Sequence, residues 1–213
     1  MLHWLLELDK KVFLYLNGMH SPEWDKIMYW ISGDKSWIPL YVFLLIIIIY
    51  RERPYRFIFI ILFVAIAVIL CDQISVLIKN MVERPRPTHN PEIANMVHIV
   101  NNQRGGTYGF VSSHAANVFG AATFLSNQLK HRKWSLFLFV WAAVVSYSRI
   151  YLGVHYPLDI ICGAVLGALI GIQSYVHKVW TVVHIECYID DRKAKKKPNK
   201  RIKKNKYHQI LYK

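Results

Sequence analysis

A chain of 213 residues is long enough for one soluble domain or for a small bundle of membrane helices. Apolar residues make up 54% of it and charged residues 19%, and both figures lean toward the membrane. The net charge of +14 would point to nucleic acid if it were spread evenly, but 11 of the 27 Lys and Arg lie from Arg192 onward. The charge therefore belongs largely to a tail, and no nucleic-acid partner is expected.

Cys71, Cys162 and Cys187 have neither paired nor metal-site spacing, so no disulfide framework is read from them. Cys71 and Cys162 sit inside apolar runs, where a free Cys behaves as a small hydrophobe. No cleaved signal peptide is expected, because Glu7, Asp9, Lys10 and Lys11 interrupt the first apolar residues and no small-residue cleavage site follows.

In chain order, residues 2–16 place Leu5, Leu8, Val12 and Tyr15 on one helical face and the charges elsewhere, as in a helix lying in the membrane interface. Ser21-Pro22-Glu23 reads as an N-cap, a first-turn proline and an early acid, and Gly33 is placed to end the short helix that follows. Residues 1–35 thus form interfacial amphipathic helices, with Trp24, Tyr29 and Trp30 at interfacial depth. Apolar segments then run over Trp37–Tyr50, Phe57–Ile78, Ala115–Leu129, Trp134–Tyr147 and Pro157–Val176. The first is short against the roughly 20 residues that cross a bilayer. Asp72 interrupts the second and reads as a structural acid facing a Ser or Tyr. Gly163, Gly167 and Gly171 in the last make either a small-residue ridge for close helix packing or glycines tolerated against lipid. The fold class expected is an all-α, integral-membrane helical bundle of about five transmembrane helices, covering residues 36–178. A basic tail fills 179–213.

With five spans, Arg51–Arg56, Lys130–Lys133 and the tail share one side and hold 17 of the 27 basic residues. The positive-inside rule makes that side cytoplasmic, in a multi-pass cytoplasmic (inner) membrane protein. Segments 79–112 and 148–157 then face the outer side.

Those outer segments carry the chemistry. Lys79, Arg86 and Arg149 supply three cations at one membrane face, as a phosphate dianion requires. Ser112 and Ser113 stand at a helix N-terminus, where free N–H groups and the dipole favour an anion. His155 and Asp159 are four residues apart, so one helical turn lets the carboxylate orient the imidazole. His114 is left as a second histidine, placed to act as a general acid. Taken singly, Lys79, Arg84 and Arg86 read as helix-end charges at the lipid headgroups, His114 or His155 as an ordinary interfacial residue, and Asp159 as a first-turn acid. The conjunction on one face is what points to phosphoryl transfer.

Lys79-x6-Arg86-Pro87, Ser112-x-His114 and Ser148-Arg149-x5-His155-x3-Asp159 together resemble the three-part signature of the type-2 phosphatidic acid phosphatase superfamily. The resemblance implies a metal-independent phosphatase without cofactors. It further implies His155 as nucleophile forming a phosphohistidine, Asp159 orienting it, and His114 protonating the leaving group. Lys79, Arg86, Ser112, Ser113 and Arg149 would hold the phosphate. The chain departs from the family's Pro-Ser-Gly-His in having Val111 and Ser113, and Ser113 would be strained if the loop needed a positive φ. The implied substrate is a lipid phosphate or pyrophosphate: a polyprenyl pyrophosphate first, with lipid A phosphate close behind and glycerolipid phosphates after. Three rival readings are a halide-oxidising relative, which the spans argue against, a non-catalytic phospholipid binder or transporter, and an anchor for the basic tail. The loop 88–110, with His89, His98, Arg104 and Gly105-Gly106, reads as a connector or as a cover for the site.

Overall fold

The computed structural model describes residues 2–196, which form seven α-helices and three short 3₁₀ turns with no strand among them. The first two helices, α1 (Leu2–Asn17) and α2 (Pro22–Ser32), precede a bundle of α3 (Ile38–Arg51), α4 (Pro54–Val82), α5 (Ser113–Leu129), α6 (Arg132–Tyr151) and α7 (Pro157–Lys196). Local rules set the ends. Ser21 Oγ accepts the Trp24 N–H at 3.4 Å with Pro22 behind it, and the Gly33 N–H closes α2 on the Trp30 carbonyl at 3.1 Å.

Helix α5 is the axis of the bundle and packs against α4, α6 and α7. Its tightest partner is α7, because the glycines at 163, 167 and 171 lie on one side of that helix. A Cβ at Gly163 would come 2.5 Å from the Ser112 carbonyl oxygen, and one at Gly171 would come 2.5 Å from that of Gly120. A Cβ at Gly167 would strike the Ala116 backbone. Both series advance by four residues in the same direction, so α5 and α7 run parallel, backbone against backbone. The ridge is a packing surface. On the other side of α7, Ile161, Val165, Leu169, Ile172 and Val176 form an exposed apolar stripe, the surface a bilayer requires.

Against the expected five or so spans, length and composition alone qualify fewer of the described helices to cross a membrane. Three helices (α4, α6 and α7) are long and apolar enough, or four spans if α2 and Asp34–Arg51, bent by 71° at their break, count as one. Helices α3 and α5 have 14 and 17 residues. Helix α5 can be short and carry Asn117, Thr123 and Gln128 because its neighbours, not lipid, surround it.

Helix α1 also differs in detail. Leu5, Leu8, Val12 and Tyr15 point outward as an interfacial face would, while Asp9, Phe13 and Asn17 are buried against the bundle. At the end of the bundle away from α1, Glu52 bonds Gln128 at 2.7 Å and Arg56 pairs with Glu186 at 2.5 Å. Helix α7 runs unbroken through residue 178 to Lys196, so the segment expected to begin the tail starts as helix. Residues 197–213 of that tail lie outside the described residues.

Candidate active site

Four helix ends meet at one pole of the bundle. Helix α4 ends at Glu83 in a left-handed conformation, φ 51°, and the alternating prolines of Arg84-Pro85-Arg86-Pro87 bar any return to helix. Ser112 caps α5: its Oγ accepts the Ala115 N–H at 3.4 Å and its N–H donates to the Asp159 carbonyl at 3.0 Å. Helix α6 ends at Tyr151 and turns through Gly153, φ +78°, where a Cβ would lie 2.6 Å from Val97 Cγ1. That turn presents His155, and Pro157 starts α7.

The centre is His155, 2% exposed, with Nδ1 3.3 Å from Asp159 Oδ2. The same carboxylate oxygen accepts the Tyr156 N–H at 3.0 Å, and Oδ1 accepts from Arg84 Nη1 at 2.9 Å. With Nδ1 turned to Asp159, Nε2 is the nitrogen left for chemistry. Burial, then the charges of Arg86, Arg149 and Lys79, push the His155 pKa well below the usual histidine range. It is therefore a neutral imidazole at neutral pH, the form a nucleophile needs.

The three expected cations converge around it, and none forms an ion pair among the described residues. Lys79 Nζ donates to Ser113 Oγ, which also bonds Ser75 Oγ at 2.6 Å. Arg86 Nε donates to the Tyr108 carbonyl at 3.0 Å, and Nη1 to that of Val154 at 3.4 Å. Arg149 is 6% exposed; Nη1 donates to Ser32 Oγ while Nε has no partner. A guanidinium buried without a carboxylate, as that of Arg149 is, is costly to leave so, and an anion bound there would supply the missing charge. His114, one third exposed, stands in the first turn of α5 with Nε2 3.4 Å from Asp34 Oδ1.

All eight expected residues thus gather at one pole, with two refinements. Ser112 is fully buried and spends its Oγ on the helix cap, so its contribution is to shape the turn. Ser113 is helical with no positive φ, so the exchange of Gly for Ser costs no strain. Among the described residues, no Ser or Tyr bonds the Asp72 carboxylate. That group accepts from Gln73 at 3.4 Å and lines a cavity shared with Ser113 and His114.

Sequence reading missed three contributors. Arg84, taken as a headgroup-level charge, bridges Asp159 to Asp9 of α1: Nη2 reaches Asp9 Oδ2 at 2.7 Å, and the guanidinium lies 4.0 Å over the Tyr156 ring. Asp9 is 4% exposed and also accepts the Leu158 N–H at 2.9 Å, at the start of α7. The loop 88–110 is a wall of the site. Arg86 N–H bonds the Thr107 carbonyl and Gly109 N–H the Arg84 carbonyl, both at 2.9 Å. A Cβ at Gly109 would sit 3.0 Å from Asp159 Oδ2, and one at Gly105 2.5 Å from Arg86 Nη1. The doubled Arg-Pro was the one local signal for Arg84; nothing near Asp9 announced its partner.

The bundle and its pole define an all-helical membrane protein with a buried histidine and three cations gathered at one end. Residues 57–182 match the PAP2 superfamily, and the chain belongs to that family. It is 39% identical to the lipid A 4'-phosphatase of Bacteroides thetaiotaomicron, over 84% of this chain and 81% of the relative. It is 36% identical to the undecaprenyl-diphosphatase of Sulfolobus acidocaldarius, over 66% of this chain and 63% of that one. The crystal structure of Aquifex aeolicus LpxE superposes with a TM-score of 0.60 at 27% identity, covering 78% of this chain and 94% of that one. The chain is an enzyme of the membrane lipid phosphatase class.

Proposed function

We propose that this enzyme removes a phosphate monoester from a lipid A-type glycolipid at the outer face of the cytoplasmic membrane, through a phosphohistidine. The observation that carries the reading is the buried His155–Asp159 pair ringed by three cations that have no carboxylate partner among the described residues. The phosphate dianion is held by Lys79, Arg86 and Arg149 and by the N–H groups of the α5 first turn. His155 Nε2 attacks phosphorus as the bond to the leaving oxygen breaks, and His114 gives that oxygen its proton. The dianion itself stabilises the imidazolium of His114, and Asp34 adds a second negative charge beside it. Water then attacks the phosphohistidine with His114 taking its proton, which returns His155 and frees inorganic phosphate. Every step rests on positioning and charge.

The lipid tail has a place. A cavity of about 600 Å³ opens beside Ser113 and His114 and runs between α3, α4, α5 and α6, walled by Trp37, Leu44, Ile48, Val64 and Trp141. Its apolar walls suit an acyl or prenyl chain beside a phosphate at the pole. Lipid A phosphate moves ahead of polyprenyl pyrophosphate because the lipid A 4'-phosphatase relative matches more of this chain at higher identity than the undecaprenyl-diphosphatase does. The site faces outward because Arg51, Arg53, Arg56, Lys130, Arg132 and Lys133 lie at the opposite helix ends.

The test is phosphate release by the purified full-length protein, with chelator present, from lipid A, undecaprenyl pyrophosphate and phosphatidic acid. Lipid A turned over fastest supports the proposal. Faster release from the pyrophosphate reverses the substrate order, and loss of activity on chelation refutes the metal-independent mechanism.

A further inference from the structure

A second polar cavity, of about 460 Å³, lies at the other pole of the bundle. Lys178 of α7 lines it. Nineteen residues separate Lys178 from Asp159 on the same unbroken helix, and at about 1.5 Å per residue this is about 28 Å. That is close to the roughly 30 Å of a bilayer's hydrocarbon core. With the catalytic site at one membrane interface, this cavity sits at the other, among the headgroups of the opposite leaflet.

Its charge is unbalanced. Arg51, Arg56, Lys130 and Lys178 line it against two carboxylates, Glu52 and Glu186. Glu186 is taken: Arg56 Nε and Nη2 donate to it at 2.8 and 2.5 Å, and the Tyr55 hydroxyl does too. Glu52 accepts from Gln128 Nε2 at 2.7 Å. Lys178 is nine-tenths buried, yet no carboxylate pairs with its ammonium among the described residues, and its companion is the Tyr175 ring at 4.9 Å. An ammonium held there beside an aromatic face, with Glu52 near but not in contact, is poorly compensated. The Gln128 Oε1 on the same wall is buried and has no hydrogen-bond donor. A ligand for this place needs a negative charge for Lys178 and a hydroxyl for Gln128.

We propose that this cavity binds the headgroup of an anionic, hydroxyl-bearing phospholipid of the opposite leaflet, such as phosphatidylglycerol. The phosphodiester charge meets Lys178, Lys130 and Arg51, and a glycerol hydroxyl donates to Gln128 Oε1. Its acyl chains follow the apolar flank of α7. Because these cations come from α3, the end of α5 and α7, one headgroup ties three helices together. A phosphodiester is not a substrate for a monoesterase, so the site is independent of the chemistry at His155.

The experiment is native mass spectrometry of the full-length, delipidated protein titrated with phosphatidylglycerol, phosphatidylcholine or inorganic phosphate. Wild type is expected to keep one phosphatidylglycerol under conditions that strip phosphatidylcholine. Lys178→Met, which replaces a buried charge by an isosteric apolar chain, is expected to weaken that retention about tenfold, as for one lost charge-assisted contact. Turnover of a short-chain phosphomonoester should stay unchanged in this variant. Lys130→Asn provides a second reading, since Asn tolerates the left-handed φ of 49° at that position. It too should weaken retention. Equal retention by wild type and both variants overturns the proposal. Inorganic phosphate displacing the lipid at equal concentration also overturns it, by making the site one for free anions.

Discussion

The bridge from α1 to His155 makes a quantitative demand. Arg84 holds Asp159 Oδ1 at 2.9 Å, leaving Oδ2 for His155, and is itself anchored by Asp9 at 2.7 Å. Arg84→Met strands two carboxylates whose side chains are 2% and 0% exposed, and breaking a buried pair in this way costs about 3–5 kcal/mol. Asp9→Asn is milder: its amide oxygen still accepts the Leu158 N–H, and what is lost is the charge and the hydrogen bond toward Arg84. A hydrogen bond to a charged group is worth about 1.5–3 kcal/mol. Part of this is offset, because burial already pushes the Asp9 pKa upward against the pull of Arg84, so the net loss should be about 1–2 kcal/mol. The kinetic effect should be larger than the loss of folded protein. A carboxylate displaced by about an ångström can cost up to about 100-fold in rate, so Arg84→Met should lose about that much kcat with little change in KM. Asp9→Asn should lose about tenfold, by the same reasoning at smaller displacement. Arg84→Lys should not rescue, since a lone ammonium lacks the planar fork that spans two carboxylates. The assay is phosphate release at saturating substrate, normalised to the monodisperse fraction by size exclusion. Wild-type kcat in Arg84→Met, or full rescue by lysine, refutes the positioning role.

Other predictions are simpler. His155→Asn should lower kcat by about 10³-fold or more while phosphate still protects the protein against thermal unfolding; unchanged turnover would remove His155 as nucleophile. Because burial and then Arg86, Arg149 and Lys79 lower the His155 pKa, the acidic limb of kcat/KM should lie below the usual histidine value of about 6.5. Arg149→Gln should shift that limb upward, since one cation opposing the imidazolium is gone; a downward shift contradicts the electrostatic account. Gly167→Val should destabilise the bundle by about 1–3 kcal/mol or more, because its side chain meets the Ala116 backbone. Gly106→Ala should be neutral, as a Cβ there meets nothing within 4 Å.

Much of the site could be read without coordinates because its residues sit at helix ends, where the rules are local. His155 and Asp159 share a turn, Ser112 caps a helix, and the prolines after Arg84 and Arg86 stop one. The same logic explains what escaped. Asp9 and Arg84 lie 75 residues apart, and Arg84 and Asp159 another 75, so no spacing rule connects them. The number of spans is harder to read than the helices themselves, because hydropathy sees how apolar a segment is and not what surrounds it. A central helix such as α5 needs to satisfy its neighbours, and its length and polarity follow from that.

By itself, the amino-acid order determined the helical membrane class, the helix ends and the three groups of residues carried to one pole, since each depends on periodicity or short-range stereochemistry. The tertiary structure alone decided which glycines are packing surfaces, that loop 88–110 walls the site, and that an acid on α1 holds the carboxylate behind His155. Those depend on which distant backbones meet in three dimensions, and burial makes each such meeting matter: a charge or a Cβ there has no water to turn to.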